Sequence, residues 1–412
     1  MDGNGMATTS PVIDGTAHAE ILFTLEWEAD GTRFSDRRLA PRLRMDYDLF
    51  PEGLETALLG KRAGDRPVLD FPPGRFLPPP DPARVARLPI GRFDERFIPG
   101  RVLTPAVGRF FPQGIVADGV PGVFKAGSKP CRILANDGET LTIDLNHPLA
   151  GRAVRLLAEV RSVSHDAGGG ARCLDWTEIL ADGPGIQVRH GDEGADFWAM
   201  DGFRRTEDGD DAAFYAKPRM VVHLDAAALA QVTEIYREHL SAGMQVLDLM
   251  SSHRSHLPDD VGVSEVIGIG LNGAEMAGNP QLAGHEVHDL NANPRLPFGT
   301  AAFDAAVCTV SVEYLIHPRE VFRDVARVLR PGAPFVATFS HRWFPPKVTR
   351  IWTELHPFER VGFVLECFRD SGFFTDLGAS SLRGLPRPTD DGHYPRETES
   401  DPVFAVWGRR IS

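Results

Sequence analysis

One run constrains this chain more than any other: Gln245-Val246-Leu247-Asp248-Leu249-Met250-Ser251-Ser252-His253. An apolar stretch holds a single carboxylate, then gives way to small polar residues where a glycine-rich turn is usual. A buried parallel strand reads as such a run and releases a ligand-binding loop at its carboxyl end. The chain beyond it keeps a strand–helix rhythm. Extended stretches fall at residues 265–271, 286–288, 305–310 and 334–339, and an amphipathic helix at 318–329 turns Val321, Phe322, Val325, Val328 and Leu329 inward. A further helix at 225–240, with Asp225 as its N-cap, leads into the first strand. This order predicts a doubly wound parallel sheet with right-handed crossovers. Extended stretches at 375–382 and 403–409 are expected to pair as an antiparallel edge.

The chain has 412 residues, more than one ordinary core accommodates, so two or three domains are expected. Its hydrophobic share of 42% and charged share of 25% describe a soluble globular protein. The net charge of −13 argues against nucleic acid as a partner, because backbone binding needs a concentrated basic footprint. No apolar run approaches the ~20 residues that span a bilayer, and the first residues lack the apolar region of a secretory signal. Cys131, Cys173, Cys308 and Cys367 are scattered without a CxxC pair, which fits reduced thiols and a cytoplasmic location.

Residues 1–17 are small, polar and aperiodic, and are expected to be disordered. In the strand at 19–29, Ile21, Phe23, Leu25 and Trp27 alternate with polar or smaller residues, and Asp30-Gly31 turns the chain into a return strand at 32–36. The segment Gly53 to Asp65, GLETALLGKRAGD, resembles the hallmark helix and turn of FKBP-type prolyl isomerases, and Asn146-His147-Pro148-Leu149-Ala150-Gly151 is similar to a signature of their SlyD-like branch. The resemblance spans residues 18–165 and implies an α+β half-barrel with a flap domain inserted at about 82–141. It implies peptidyl-prolyl cis-trans isomerase and chaperone activity on proline-containing unfolded polypeptides. An apolar cup would favour the twisted amide and lower a rotation barrier of ~20 kcal/mol. The cup falls on Trp27, Asp36, Phe50, Pro51, Leu54, Phe76 and Leu156. Phe76 stands where a tyrosine is common and Leu156 where an aromatic is usual, so these positions also read as ordinary core. The domain carries no His- and Cys-rich tail, and no metal is expected. Residues 166–215, with Gly168-Gly169-Gly170 and the acidic run 207–211, read as a linker with a solvated charged surface, interrupted by Phe197, Trp198 and Phe203, which are expected to pack onto a neighbouring domain.

In residues 216–412, Asp248, Asp289, Phe303-Asp304-Ala305 and Arg327-Val328-Leu329-Arg330-Pro331-Gly332 together are similar to class I S-adenosylmethionine-dependent methyltransferases, with their Rossmann-like α/β domain. That resemblance implies S-adenosyl-L-methionine as cofactor. Asp248, Ser251, Ser252 and His253 would run beneath its methionine part. Gly270, Leu271 and Asn272 would take the ribose, Asp289 and Leu290 the adenine, and Ser311 would face the methyl. Tyr314 and His341 are the candidate catalytic bases. The turn Met250-Ser251-Ser252-His253 has no glycine, which fits either a blocked pocket or a turn built on serine. His253, His256, His285 and His288 lack a metal-ligand spacing signature.

These readings predict a two-module enzyme that methylates a small molecule or a protein or peptide side chain. The competing reading is a non-catalytic pseudo-methyltransferase binding module fused to a foldase or holdase.

Overall fold

The computed structural model describes residues 11–165, 172–192, 194–198 and 201–412. The glycine run at 168–170 and the first ten residues lie outside the described part. Residues 11–17, expected to be disordered, are instead tied down. The Ile13 backbone exchanges hydrogen bonds with Gly60 and Lys61, and its side chain is buried in the core.

The alternating run folds as strand β1 (His18–Ala29), and Asp30-Gly31 carries positive φ at both residues into β2 (Thr32–Arg44). The return strand is longer than expected because it is paired on both sides. Helix α1 (Leu54–Leu58) and β3 (Val68–Phe71) come next, then β4 (Val85–Pro89), β5 (Phe110–Pro112), β6 (Pro130–Asn136), β7 (Thr140–Asp144) and β8 (Val154–Ser164). β1 pairs with β2 and β8, and β3 with β8, all antiparallel. Strands β4-β7-β6-β5 form a sheet of their own around Leu88, Phe93, Phe111, Ile133, Leu141 and Ile143.

Residues 166–215, expected as a linker, carry α2 (Trp176–Ala181) and α3 (Asp211–Tyr215), with Trp176, Leu180, Ile186, Val188 and Phe197 buried. Apolar residues at those positions outweigh the local linker composition. Helix α4 (Ala226–His239) starts at Asp225, whose carboxylate accepts from the Ala227 and Ala228 N–H groups. The remainder runs β9 (Gln245–Leu249), β10 (Glu265–Gly270), α5 (Gly273–Ala277), β11 (Gly284–Val287), β12 (Ala305–Thr309), α6 (Pro318–Val328), β13 (Pro334–Phe339), α7 (Arg350–Glu354), α8 (Pro357–Ser371), β14 (Phe374–Arg383) and β15 (Val403–Arg410). Strand order is β11-β10-β9-β12-β13-β15-β14; the first five are parallel, and β15 is antiparallel to both neighbours. This is the doubly wound sheet expected, with its order reversing between β9 and β12. Helix α8 had no sequence expectation; its buried face includes Phe358, Phe363, Val364 and Phe368.

The β14–β15 pair is not an edge. β14 pairs parallel with β2, so both halves share one 11-stranded sheet. An unpaired strand edge is a template for association, and here the N-terminal half covers it. At the seam Asp36 is 1% exposed; it accepts from Ser381 Oγ at 2.5 Å and pairs with Arg383 at 2.6 Å. A second tie joins the small sheet to α8: Glu359 accepts from Arg109 Nε and the Phe110 N–H, both at 2.8 Å.

Removing one partner of a buried ion pair leaves the other charge without compensation. Arg383→Ala is therefore expected to lower unfolding free energy by about 3–5 kcal/mol. Adding Asp36→Ala should recover part of that loss, as read from urea unfolding of both variants.

Candidate active site

In β9, Val246, Leu247 and Leu249 are packed between β10 and β12, and Asp248 is the strand's buried carboxylate. Its Oδ2 accepts from Ser251 Oγ at 2.5 Å and from Ser255 Oγ at 2.7 Å, so it ties the loop back onto the strand. Burial pushes its pKa up to about 6, against the opposing effect of the two hydroxyls. The glycine-free turn is accommodated in two ways. Met250 itself adopts φ of +57°, a conformation that costs a non-glycine residue roughly 1–2 kcal/mol. The glycines that make room lie on the neighbouring strand: a Cβ at Gly268 would meet the Ser251 side chain, and one at Gly270 its carbonyl. The Ser251 N–H then reaches Ile269 O at 2.8 Å.

Asp248, Ser251, Ser252, His253, Gly270, Leu271, Asn272, Asp289, Leu290, Ser311 and Tyr314 line one cavity. It opens beyond the carboxyl ends of β9, β10, β11 and β12, where ligands of such sheets bind. Asp289 lies just past β11; its Oδ1 accepts from the Asn291 and Ala292 N–H groups, and Oδ2 carries no hydrogen bond among the described residues. Ser311 donates to Thr309 O at 2.9 Å.

Three expected roles are corrected by their contacts. Asn272 does not present a free amide to a ribose. Its Oδ1 caps α5 by accepting from Ala274 and Glu275, and its Nδ2 donates to Tyr215 O at 2.7 Å. Burial raises the Tyr314 phenol and so disfavours the phenolate a base would need, and its oxygen accepts from the Phe344 N–H at 2.8 Å. His341 lies outside the cavity, 3.4 Å from Asp401. Glu397 stands close enough to suggest a metal triad, but Arg342 and Arg387 already neutralise both carboxylates. Ser251 and Ser252 likewise spend their hydroxyl protons on carboxylates, Ser252 on Glu275 Oε2 at 2.6 Å.

Other residues at the cavity were missed. Glu275 also accepts the Arg219 N–H at 2.6 Å; its signal was its place three residues after a capping asparagine. Asp211 was read as part of a solvated run, yet it is buried and pairs with Arg205 at 2.6 Å and the fully buried Lys347 at 2.9 Å. It also accepts from Asn291, which holds the loop after β11. No local signal separates it from its exposed neighbours. His256 lines the cavity too, beside the expected His253. Burial lowers both imidazoles, His256 to about 4, which favours their neutral forms.

The seven cup positions behave differently. Trp27, Asp36, Pro51, Leu54, Phe76 and Leu156 are buried and Phe50 is partly covered; Trp27 alone also borders a cleft, one that reaches α4 and β15.

Comparison with known proteins accords with both halves. Residues 253–337 match the family described as a methyltransferase domain. The chain is 31% identical over 118 residues to "Probable FKBP-type 16 kDa peptidyl-prolyl cis-trans isomerase" of Pseudomonas fluorescens, covering 29% of this chain and 68% of that protein. It is 32% identical over 118 residues to the FKBP-type peptidyl-prolyl cis-trans isomerase SlyD of Treponema pallidum, covering 28% of this chain and 58% of SlyD. Among solved structures, an S-adenosylmethionine-dependent methyltransferase from Mesorhizobium loti is similar at 20% identity and a TM-score of 0.31, covering 43% of this chain and 96% of that one. The chain belongs to the FKBP-type peptidyl-prolyl isomerase family through its N-terminal part, fused to a methyltransferase domain.

Because the folded pKa of Asp248 is raised, its favourable contribution is present below the unfolded value of 3.8 and is lost as pH rises through about 6. Asp248→Asn stays neutral throughout. Relative to wild type it should gain about 2 kcal/mol between about pH 4 and about pH 7, measured by urea unfolding at both. An unchanged difference between the two proteins would refute the raised pKa.

Proposed function

We propose that the C-terminal half binds S-adenosyl-L-methionine in the cavity above β9 and transfers its methyl group to an acceptor heteroatom. The observation that carries this reading is the distribution of polar groups around the switch between β9 and β12. The serine turn, Glu275 and Asp289 stand at three successive strand ends, matching a ligand that is zwitterionic at one end and carries an amine at the other.

The N–H groups of Ser252 and His253 have no hydrogen-bond partner among the described residues and suit the cofactor's carboxylate. The lone pairs left on Ser251 and Ser252 suit its ammonium. With Asn272 committed to its cap, Glu275 is the carboxylate near the ribose position. Asp289 Oδ2 suits the adenine amine, with Leu290 as an apolar neighbour. When bound, the cofactor supplies a methyl group on a cationic sulfur, which an acceptor lone pair displaces. The protein's share is alignment and exclusion of water, and alignment can be worth ~7–11 kcal/mol. An acceptor that must lose a proton would pass it to the neutral imidazole of His253.

The acceptor reading favours a small molecule. A peptide acceptor would draw on the linked foldase to concentrate unfolded chain, and six of its seven cup residues are buried. Val221 and Val222 border the cavity and remain half exposed, which suits an acceptor with an apolar body.

Isothermal titration calorimetry with S-adenosylmethionine and S-adenosylhomocysteine tests the proposal. Glu275→Gln and Asp289→Ala should each weaken binding about tenfold, or about 1.4 kcal/mol. No binding by the wild type would leave a pseudo-methyltransferase. Incubation of cell extract with labelled cofactor should place label on small metabolites; label confined to protein would overturn the acceptor class.

A further inference from the structure

A segment of the same chain is held against the N-terminal half. Residues 174–188 run beside the stretch that carries Phe50 and Pro51 of the cup. Leu49 and Asp175 form a parallel bridge: the Leu49 N–H donates to Leu174 O at 2.8 Å, and the Trp176 N–H donates to Leu49 O at 2.9 Å. Leu49 immediately precedes Phe50 and Pro51 of the cup. The Trp176 indole donates to Asp48 at 3.1 Å and its ring lies 5.8 Å from that of Phe23. Trp176, Leu180, Ile186 and Val188 are buried in the apolar core that runs through both halves and also holds Trp27, Leu54, Phe76 and Leu156.

At the centre of this strap stands Asp182-Gly183-Pro184-Gly185, with Gly183, Pro184 and Gly185 all buried. Both glycines have positive φ. A Cβ on Gly183 would strike the Phe358 ring, and one on Gly185 would strike Pro148 and Leu149 of the signature loop. The Gly185 N–H donates to buried Gln187 at 2.8 Å, and His147 of the same loop is 3.0 Å from Ala181 O. Arg383 pairs with Asp36 on one side and donates to Asp182 O at 2.9 Å on the other, so the cup's carboxylate and the strap share one guanidinium.

We propose that the isomerase-type cup of this chain takes its own Gly183-Pro184-Gly185 strap as ligand, and that the N-terminal half is thereby closed to other polypeptides. The strap offers an internal X-Pro segment that is buried against the signature loop and tied through Arg383 to Asp36. The cup then acts as a clamp on the connection between the halves, and isomerase activity is latent until the strap leaves. This rests on the family membership and the strap's contacts, and stands apart from the methyl-transfer reading.

Exchange NMR of an Ala-Leu-Pro-Phe peptide with the full chain provides the test. Uncatalysed X-Pro rotation takes roughly tens to hundreds of seconds. Wild type is expected to leave that rate unchanged, and Gly183→Val with Gly185→Val, whose side chains cannot seat, to accelerate it. Acceleration by wild type overturns the proposal, as does a folded double variant that remains silent. Should the double variant not fold, hydrogen exchange on wild type decides. Amides of residues 174–188 should be protected like those of β1, and exchange as fast as in exposed loops overturns the closure.

Discussion

The parallel pairing of β14 with β2 is the contact on which the rest of the molecule depends. It converts two separate sheets into one and removes the free edge of each. Backbone hydrogen bonding of this kind carries no side-chain specificity, so the register must be set elsewhere. Asp36 and Arg383 supply it, because a slip of one strand by one residue would put the two buried charges on opposite faces of the sheet. Arg383 also reaches Asp182 O, so the seam and the strap are held by one side chain.

The cavity above β9 depends on a similar economy of charge. Asp248 is held by two serine hydroxyls instead of a cation. Hydrogen bonds from neutral donors stabilise a buried carboxylate less than an ion pair does, which leaves its pKa raised. The neighbouring carboxylate Asp211 takes the opposite solution, with Arg205 and Lys347 holding its pKa low. That pairing fixes Asn291 and thereby the loop that presents Asp289. One carboxylate shapes the turn beneath the ligand position and the other secures a wall of it.

Much of the site was legible because strand ends in a doubly wound sheet are marked by the end of each apolar run. Asn272, Asp289 and Ser311 follow such runs and Asp248 lies inside the first, and all four line the cavity. What each side chain does was less legible. Asn272 was assigned to a ligand although asparagine before a helix caps it, a local preference the assignment did not weigh. His341 leaves β13 near the cavity in sequence, but faces Asp401, distant along the chain and invisible to local reading. The buried Asp211 sat among exposed Glu207 and Asp208, and its close contacts with Lys347 and Asn291, both far along the chain, set it apart.

The sequence by itself determined the elements, their order and the two families they resemble, since those arise from periodicity, turn chemistry and short contiguous motifs. It also supplied a serine turn whose missing glycines looked like a defect. Tertiary structure decided that the room for this turn comes from Gly268 and Gly270 on the adjacent strand. It likewise decided that the halves are one sheet and that residues 174–188 pack beside Leu49, next to the cup positions Phe50 and Pro51. These outcomes depend on contacts between residues far apart in the chain, and no local pattern encodes which distant side chain will fill a given space.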